Sequence, residues 1–357
     1  MKRLTGLSTI LILLITATAL SAQDIILSPS GPIQNSAPDD IWPQTLSGNT
    51  YNEFWTYQFY LEGGIDLTMV FSVANFGSLK SPVSGIRLSV IGFEGRDVYQ
   101  VMREYPIERL HLDRESWVMR LRPDRDIWFR GKLPENHVVN VQTSKDGVEY
   151  DLRLELSNIH HGYKRGDGRY RVDGSMIGLV THIPYADVRG YVRINEVRKE
   201  VRGTAYMDHT FQDQITSRLL SEGYRYVYHG GEDDWDVGYF LVPEDRDDQS
   251  VFGYNLQFRN RQFSADFPNR LERIGRERVF GHDLPARVEI GFQNGEDRTF
   301  TRTKDLERFA LLKELGGLAR RLARGYLSGE VVEFRGEGNM RGNGITFPVH
   351  YNMFIVD

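Results

Sequence analysis

The chain has no cysteine. Disulfides are therefore excluded, and so is the acylated cysteine that anchors a bacterial lipoprotein; stability has to come from a packed core. There is no basic excess either. Lys and Arg total 44 against 49 Asp and Glu, a net charge of −5. A mildly acidic chain without a basic tract is a poor partner for nucleic acid or an anionic membrane surface. Beyond the first residues no apolar run approaches membrane-spanning length. No G-x-S-x-G elbow and no phosphate-cradling glycine loop occurs. No His-x-His, His-x-x-x-His or Cys pair has metal-ligand spacing, so neither a metal nor a cofactor is expected. The acidic runs Glu232-Asp233-Asp234-x-Asp236 and Glu244-Asp245-x-Asp247-Asp248 do not fit a calcium loop and read as solvated hairpin ends. His160-His161 reads as a surface or loop pair.

What is present starts with a leader. Lys2 and Arg3 precede an apolar stretch from Thr9 to Leu20, and Ala19-Leu20-Ser21-Ala22 offers small residues for cleavage before Gln23. This reads as a signal peptide over 1–22, with an uncleaved anchor as the competing reading, and implies export to the periplasm or beyond. About 335 residues would remain, a length that favours two domains. The aromatic share of 12% is high, and aromatics suit half-buried strands.

After a Pro-, Ser-, Asn- and Asp-rich lead-in over 23–48, expected to be extended and of low order, the dominant period is two. Trp55, Tyr57, Phe59 and Leu61 alternate with Thr56, Gln58, Tyr60 and Glu62, and Gly63-Gly64 turns the chain into Leu67, Met69, Phe71 and Val73. Lys145-Asp146-Gly147, Asn294-Gly295 and Asn343-Gly344 mark further hairpins. Tyr224, Tyr226 and Tyr228 alternate with Arg225, Val227 and His229, and Val237, Tyr239 and Leu241 follow. Strands separated by turns, without intervening helices, predict an all-β chain of antiparallel barrels or sandwiches. Its halves are placed at 49–212 and 213–357. One segment, Asp305 to about Leu327, is expected to be an amphipathic helix with Leu311, Leu315, Leu318 and Leu322 on one face. It is read as packed on a barrel; a membrane-touching element or a lid is the alternative.

The most telling stretch is Gly203-Thr204-Ala205-Tyr206-Met207-Asp208-His209-Thr210-Phe211. It resembles the G-x-G-Y-x-D-H-N-x-G signature of the lipocalin-like two-barrel family, which includes carotenoid hydratases (hydroxyneurosporene synthases), AttH-type proteins, yeast survival-factor proteins and fungal Diels–Alderases. Phe54-Trp55-x-Tyr57-x-Phe59-x-Leu61 is similar to that family's aromatic first strand. Leu311 to Gly325, with the return through Arg335-Gly336-Glu337-Gly338, is similar to its C-terminal helix and last strands. The signature departs at Ala205, Thr210 and Gln212, where the family has Gly, Asn and Gly. The resemblance implies two calycin-like barrels packed together and an apolar cavity in one barrel or between them.

Strand alternation puts Tyr206 and Asp208 on one face, and Met207, His209 and Phe211 on the other. The resemblance makes Tyr206 with Asp208 the acid site of a hydratase, with His182 as the nearest counterpart of an upstream His; no Trp accompanies it. A carboxyl group in an apolar pocket has a raised pKa and could protonate an alkene. The competing reading is a buried Asp-His that satisfies its neighbours. Trp55, Tyr57, Phe59, His209, Phe211, Tyr226 and Tyr239 are the candidate ligand-binding side chains. Three functions stay open: an exported binder of an isoprenoid- or lipid-like molecule, a cofactor-free hydratase, isomerase or cyclase of hydrophobic substrates, and a structural envelope protein whose barrels are filled.

Overall fold

A computed structural model describes residues 26–244, 250–312 and 317–357. The leader lies outside the described residues. The chain is all-β, built from two curled antiparallel sheets and one C-terminal helix. In the first sheet, Val98–Pro106, Val83–Ile91, Ile65–Phe76, Thr50–Leu61, Val197–Gln212, Ser175–Ile194, Val148–Ser157 and His137–Lys145 follow one another, and three shorter strands end the path. In the second, Leu220–Gly231 lies between Asp234–Pro243 and Ile345–Val356, and Val331–Gly342 follows the latter. The predicted hairpins form. Gly63 and Gly64 carry φ of 77° and 76°, and Asn343 and Gly344 carry 52° and 75°, the left-handed pair that matches strand twist in a two-residue turn.

The aromatic strand Thr50–Leu61 pairs with the signature strand Val197–Gln212, placing His209 beside Trp55, Asp208 beside Thr56 and Tyr206 beside Gln58. Because neighbours in register share a face, the two strands make one two-faced wall. Trp55, Tyr57, Phe59, Ala205 and Met207 enter the core of the first sheet. Tyr206 instead packs with Val227, Val237, Tyr239 and Tyr254 of the second sheet. Tyr224, Tyr226, Val349, Tyr351 and Met353 fill the second sheet's own interior. The chain thus has a core inside each sheet and a third between them.

Three expectations change. The lead-in is ordered over its described part: Ile33–Asn35 pairs with Tyr163–Arg165, and Ile41 and Trp42 are fully buried. Its polar composition conceals two apolar anchors, and the wall supplies partners for its backbone. Trp55 Nε1 donates to the Ile41 carbonyl at 2.8 Å, and the buried Glu53 accepts from the Gln44 amide at 2.8 Å and the Thr45 hydroxyl at 2.6 Å. Second, Asp305 lies in a strand, Asp297–Ala310, and the helix is confined to Gly317–Leu327. The inward face of the helix is Ala323 and Leu327, packed with Ile215, Leu312 and Phe76, while Leu322 is 67% exposed. Leu315 lies outside the described residues. Four leucines at helical spacing describe a stripe, but the described helix, Gly317–Leu327, takes in only Leu318 and Leu322 of them. Third, Asp236 does not belong to a solvated hairpin end. It is fully buried and paired with Arg298 at 3.2 Å.

Candidate functional site between the sheets

The wall's outer face, the helix and the second sheet enclose a cavity of about 160 Å³. Alternation decides its lining. Asn52, Phe54 and Thr56 face it from the aromatic strand, and Thr210 and Gln212 from the signature strand. Val70, Ser72 and Ala74 extend that side; Arg225, Tyr239, Glu333, Asn352 and Phe354 form the opposite side, and Ile215, Leu312 and Leu327 close one end. Most of this surface is apolar, which suits a site that takes apolar matter out of water.

The most buried charges at the cavity are paired. Arg225 donates from Nη2 to Asp208 Oδ1 at 3.1 Å, and its Nε lies 2.6 Å from Oδ2 as an ion-pair contact. Its Nη1 donates to Asn352 Oδ1 at 3.2 Å, and its guanidinium lies 4.1 Å from the Tyr239 ring centroid. Glu333 pairs with Arg87 at 2.6 Å. Burial pushes the Asp208 carboxyl up from its ordinary value, against the pull of Arg225. Burial would lower Arg225, but Asp208 and the tyrosines around it hold it above its usual value. Tyr206 is pushed well up by burial and then by Asp208.

Tyr206 and Asp208 do share a face, as alternation requires, and the Asp208 carboxylate adds to the upward push on the Tyr206 hydroxyl. Neither lines the cavity; Asp208 reaches it only through Arg225. His209 occupies the other face. Both its nitrogens meet oxygen, Nε2 the Glu53 carboxylate at 3.0 Å and Nδ1 the Asp40 carbonyl at 3.1 Å, and its ring stacks on Trp55 at 4.4 Å. His182 sits in a bulge of Ser175–Ile194, where the register shifts between Thr181 and Ile183. It stacks on His209 at 5.9 Å rather than joining Asp208, and burial holds it well below the ordinary histidine value. The three proposed acid-site residues are thus divided between two faces of one wall.

Among the ligand candidates, Tyr239 lines the cavity. Trp55, Tyr57 and Phe59 are fully buried in the first core. Phe211 packs on His209 at 5.0 Å. Tyr226 donates to Asp236 inside the second sheet at 3.2 Å. Alternation identified which residues share a face but not which face meets the other sheet, since both faces carry aromatics. Asn52, Thr210, Gln212 and Arg225 were missed for that reason; a lone Arg among alternating tyrosines gives no signal that it will be buried. His160 is a loop residue, as expected, yet its Nδ1 accepts from Trp235 Nε1 at 3.0 Å.

No family model matches the sequence, and no curated protein matches it significantly. The fold does have solved relatives. A putative AttH from Nitrosomonas europaea is similar at a TM-score of 0.59 and 11% identity, over 92% of this chain and 99% of that one. Kievitone hydratase from Nectria haematococca is similar at 0.55 and 8% identity, over 92% and 96%. CghA, solved with Sch210972, is similar at 0.53 and 11% identity, over 92% and 94%. The chain therefore has the lipocalin-like two-barrel fold that its signature strand suggested. At these identities the likeness concerns the fold alone.

Proposed function

We propose that this chain is an exported binding protein that holds a small apolar molecule in the cavity between its sheets. The observation that carries the reading is the cavity itself: an apolar space whose buried charges are already paired with one another. Both sheet interiors are filled with side chains, which leaves the space between the sheets as the binding place. Its volume of about 160 Å³ is close to that of an apolar cavity of roughly 150 Å³ that takes up one benzene ring. A space of this size suits a single ring with a short substituent. The signal-peptide pattern read over 1–22 supports export.

Ala74 lines the cavity and is 6% exposed. Ala74→Leu should fill part of the space. Calorimetric titration of the mature protein with p-cymene is expected to show saturable binding that falls at least tenfold in Ala74→Leu. Equal affinity in a variant that folds normally would place the binding elsewhere.

A hydratase reading has one point in its favour, since a relative of the same fold is a hydratase by name. It requires Asp208 to release Arg225 and meet the substrate. Hydrated product on wild type but not on folded Asp208→Asn would favour it over simple binding.

A further inference from the structure

We infer that the cavity selects a neutral ligand bearing a hydroxyl group, and that Asn52 reads that hydroxyl; the inference rests on the binding role proposed above. Anions are disfavoured first. The two most buried arginines of the cavity wall are neutralised, Arg225 by Asp208 and Arg87 by Glu333. Arg103, only partly buried, donates to the Ser144 carbonyl. A carboxylate ligand would have to break a buried ion pair or go unpaired in an apolar site, and either is costly.

Two neutral polar side chains of the lining hold a buried atom without a hydrogen-bond partner among the described residues, the Thr210 hydroxyl, two positions from the charged Asp208, and the more buried Asn52 amide. Asn52 is 3% exposed and lines the cavity, and its Oδ1 has no hydrogen-bond partner among the described residues. Its Nδ2 makes a long contact of 3.5 Å to Thr216 Oγ1, an atom that also accepts from Gln212 Nε2. Asn52 and Gln212 are cross-strand partners, so the amides and the Thr216 hydroxyl cluster at one place. A buried amide oxygen left without a donor is unfavourable, so a ligand that supplies the donor gains affinity. A hydroxyl both donates and accepts, and so suits an amide whichever way it is turned.

The cluster is separated from the charges. Asn52 and Thr56 lie four residues apart on one strand, roughly 13 Å at strand rise, and Thr56 is the residue beside Asp208. Phe54 lies between them and faces the cavity. A ligand with its hydroxyl at Asn52 therefore lays its apolar body on Phe54 and keeps its hydroxyl at the end remote from the Arg225–Asp208 pair.

Three molecules with one skeleton test this: p-cymene, 4-isopropylbenzyl alcohol and 4-isopropylbenzoate, titrated calorimetrically into the mature protein at pH 7. The alcohol should bind roughly two- to tenfold more tightly than the hydrocarbon, the net value of one hydrogen bond, and the carboxylate weakest of all. Asn52→Leu, similar in volume, should remove the alcohol's advantage, read as the ratio of the alcohol and p-cymene affinities within the variant. The wild-type series decides the matter even if the variant fails to fold. Tightest binding by the carboxylate, or equal binding of alcohol and hydrocarbon, overturns hydroxyl selection while leaving the binding role intact. No binding by any of the three overturns both.

Discussion

His137 and His229 show how single residues set the conditions under which this fold persists. Each is buried, and burial brings its pKa down to about 3. His137 Nε2 meets the Tyr57 hydroxyl at 2.8 Å; His229 meets the Pro184 carbonyl at 2.8 Å and the Thr204 hydroxyl at 2.9 Å. In the unfolded chain a histidine titrates near 6.5. Between about pH 6.5 and pH 3 the unfolded state therefore binds protons that the folded state refuses. Stability is fully present above pH 6.5 and is lost as pH falls, by up to about 1.4 kcal/mol per pH unit for each such histidine. Urea midpoints at pH 7, 6, 5 and 4 should fall progressively, and His137→Gln should flatten the dependence. A pH-independent midpoint over that range would show that these rings are hydrated in the folded state.

At the scale of the element, the helix Gly317–Leu327 is informative because its sequence pattern and its packing disagree. Alternating turns of leucine and arginine described an inward Leu322, yet Leu322 is exposed and Leu327 is 4% exposed at the cavity's end. The anchors of the helix explain the difference. Tyr326 donates to the Phe76 carbonyl at 2.9 Å, Arg218 donates to the Tyr326 carbonyl at 2.6 Å, and Arg320 pairs with the buried Glu330 at 2.6 Å. These polar contacts fix the rotation of the helix, and the apolar residues that face inward follow from it. Leu327→Ala should lower unfolding free energy by about 2–4 kcal/mol, as loss of a buried leucine does. Leu322→Ala should change it by no more than about 0.5 kcal/mol. Chemical denaturation of both variants checks the orientation, and reversed magnitudes would rotate the helix.

At the scale of the molecule, the two sheets are joined by ion pairs that cross the space between them. Arg225 reaches Asp208, Arg335 reaches Asp66 at 3.0 Å, and Arg87 reaches Glu333. Each pair takes one partner from each sheet, and the apolar residues between them, among them Tyr206, Val237 and Tyr239, come from both. Such an interface couples the halves, so unfolding is expected to be one cooperative transition. Asp208→Asn leaves Arg225 buried without its counter-charge and should cost about 3–5 kcal/mol; Asp208→Leu with Arg225→Met should recover much of that loss. Differential scanning calorimetry gives both answers. Two separate transitions, or a loss below about 1 kcal/mol, would mean that the halves are independent.

The antiparallel β class, the hairpins at glycine-bearing turns and the pairing of residues into faces are legible in the sequence, because side-chain alternation and left-handed turn residues act over a few positions; the two-barrel fold was implied only by the resemblance carried by Gly203–Phe211. Alternation separated Tyr206 and Asp208 from His209 before any coordinates. Only the tertiary structure decided which face of the signature strand meets the other sheet. That depends on Arg225 and Asn352, more than a dozen positions away in sequence, and no local pattern encodes it. The same holds for the lead-in, whose polar composition gave no sign of Ile41 and Trp42 closing over Trp55, and for Asn52, an ordinary strand residue until the second sheet covers it.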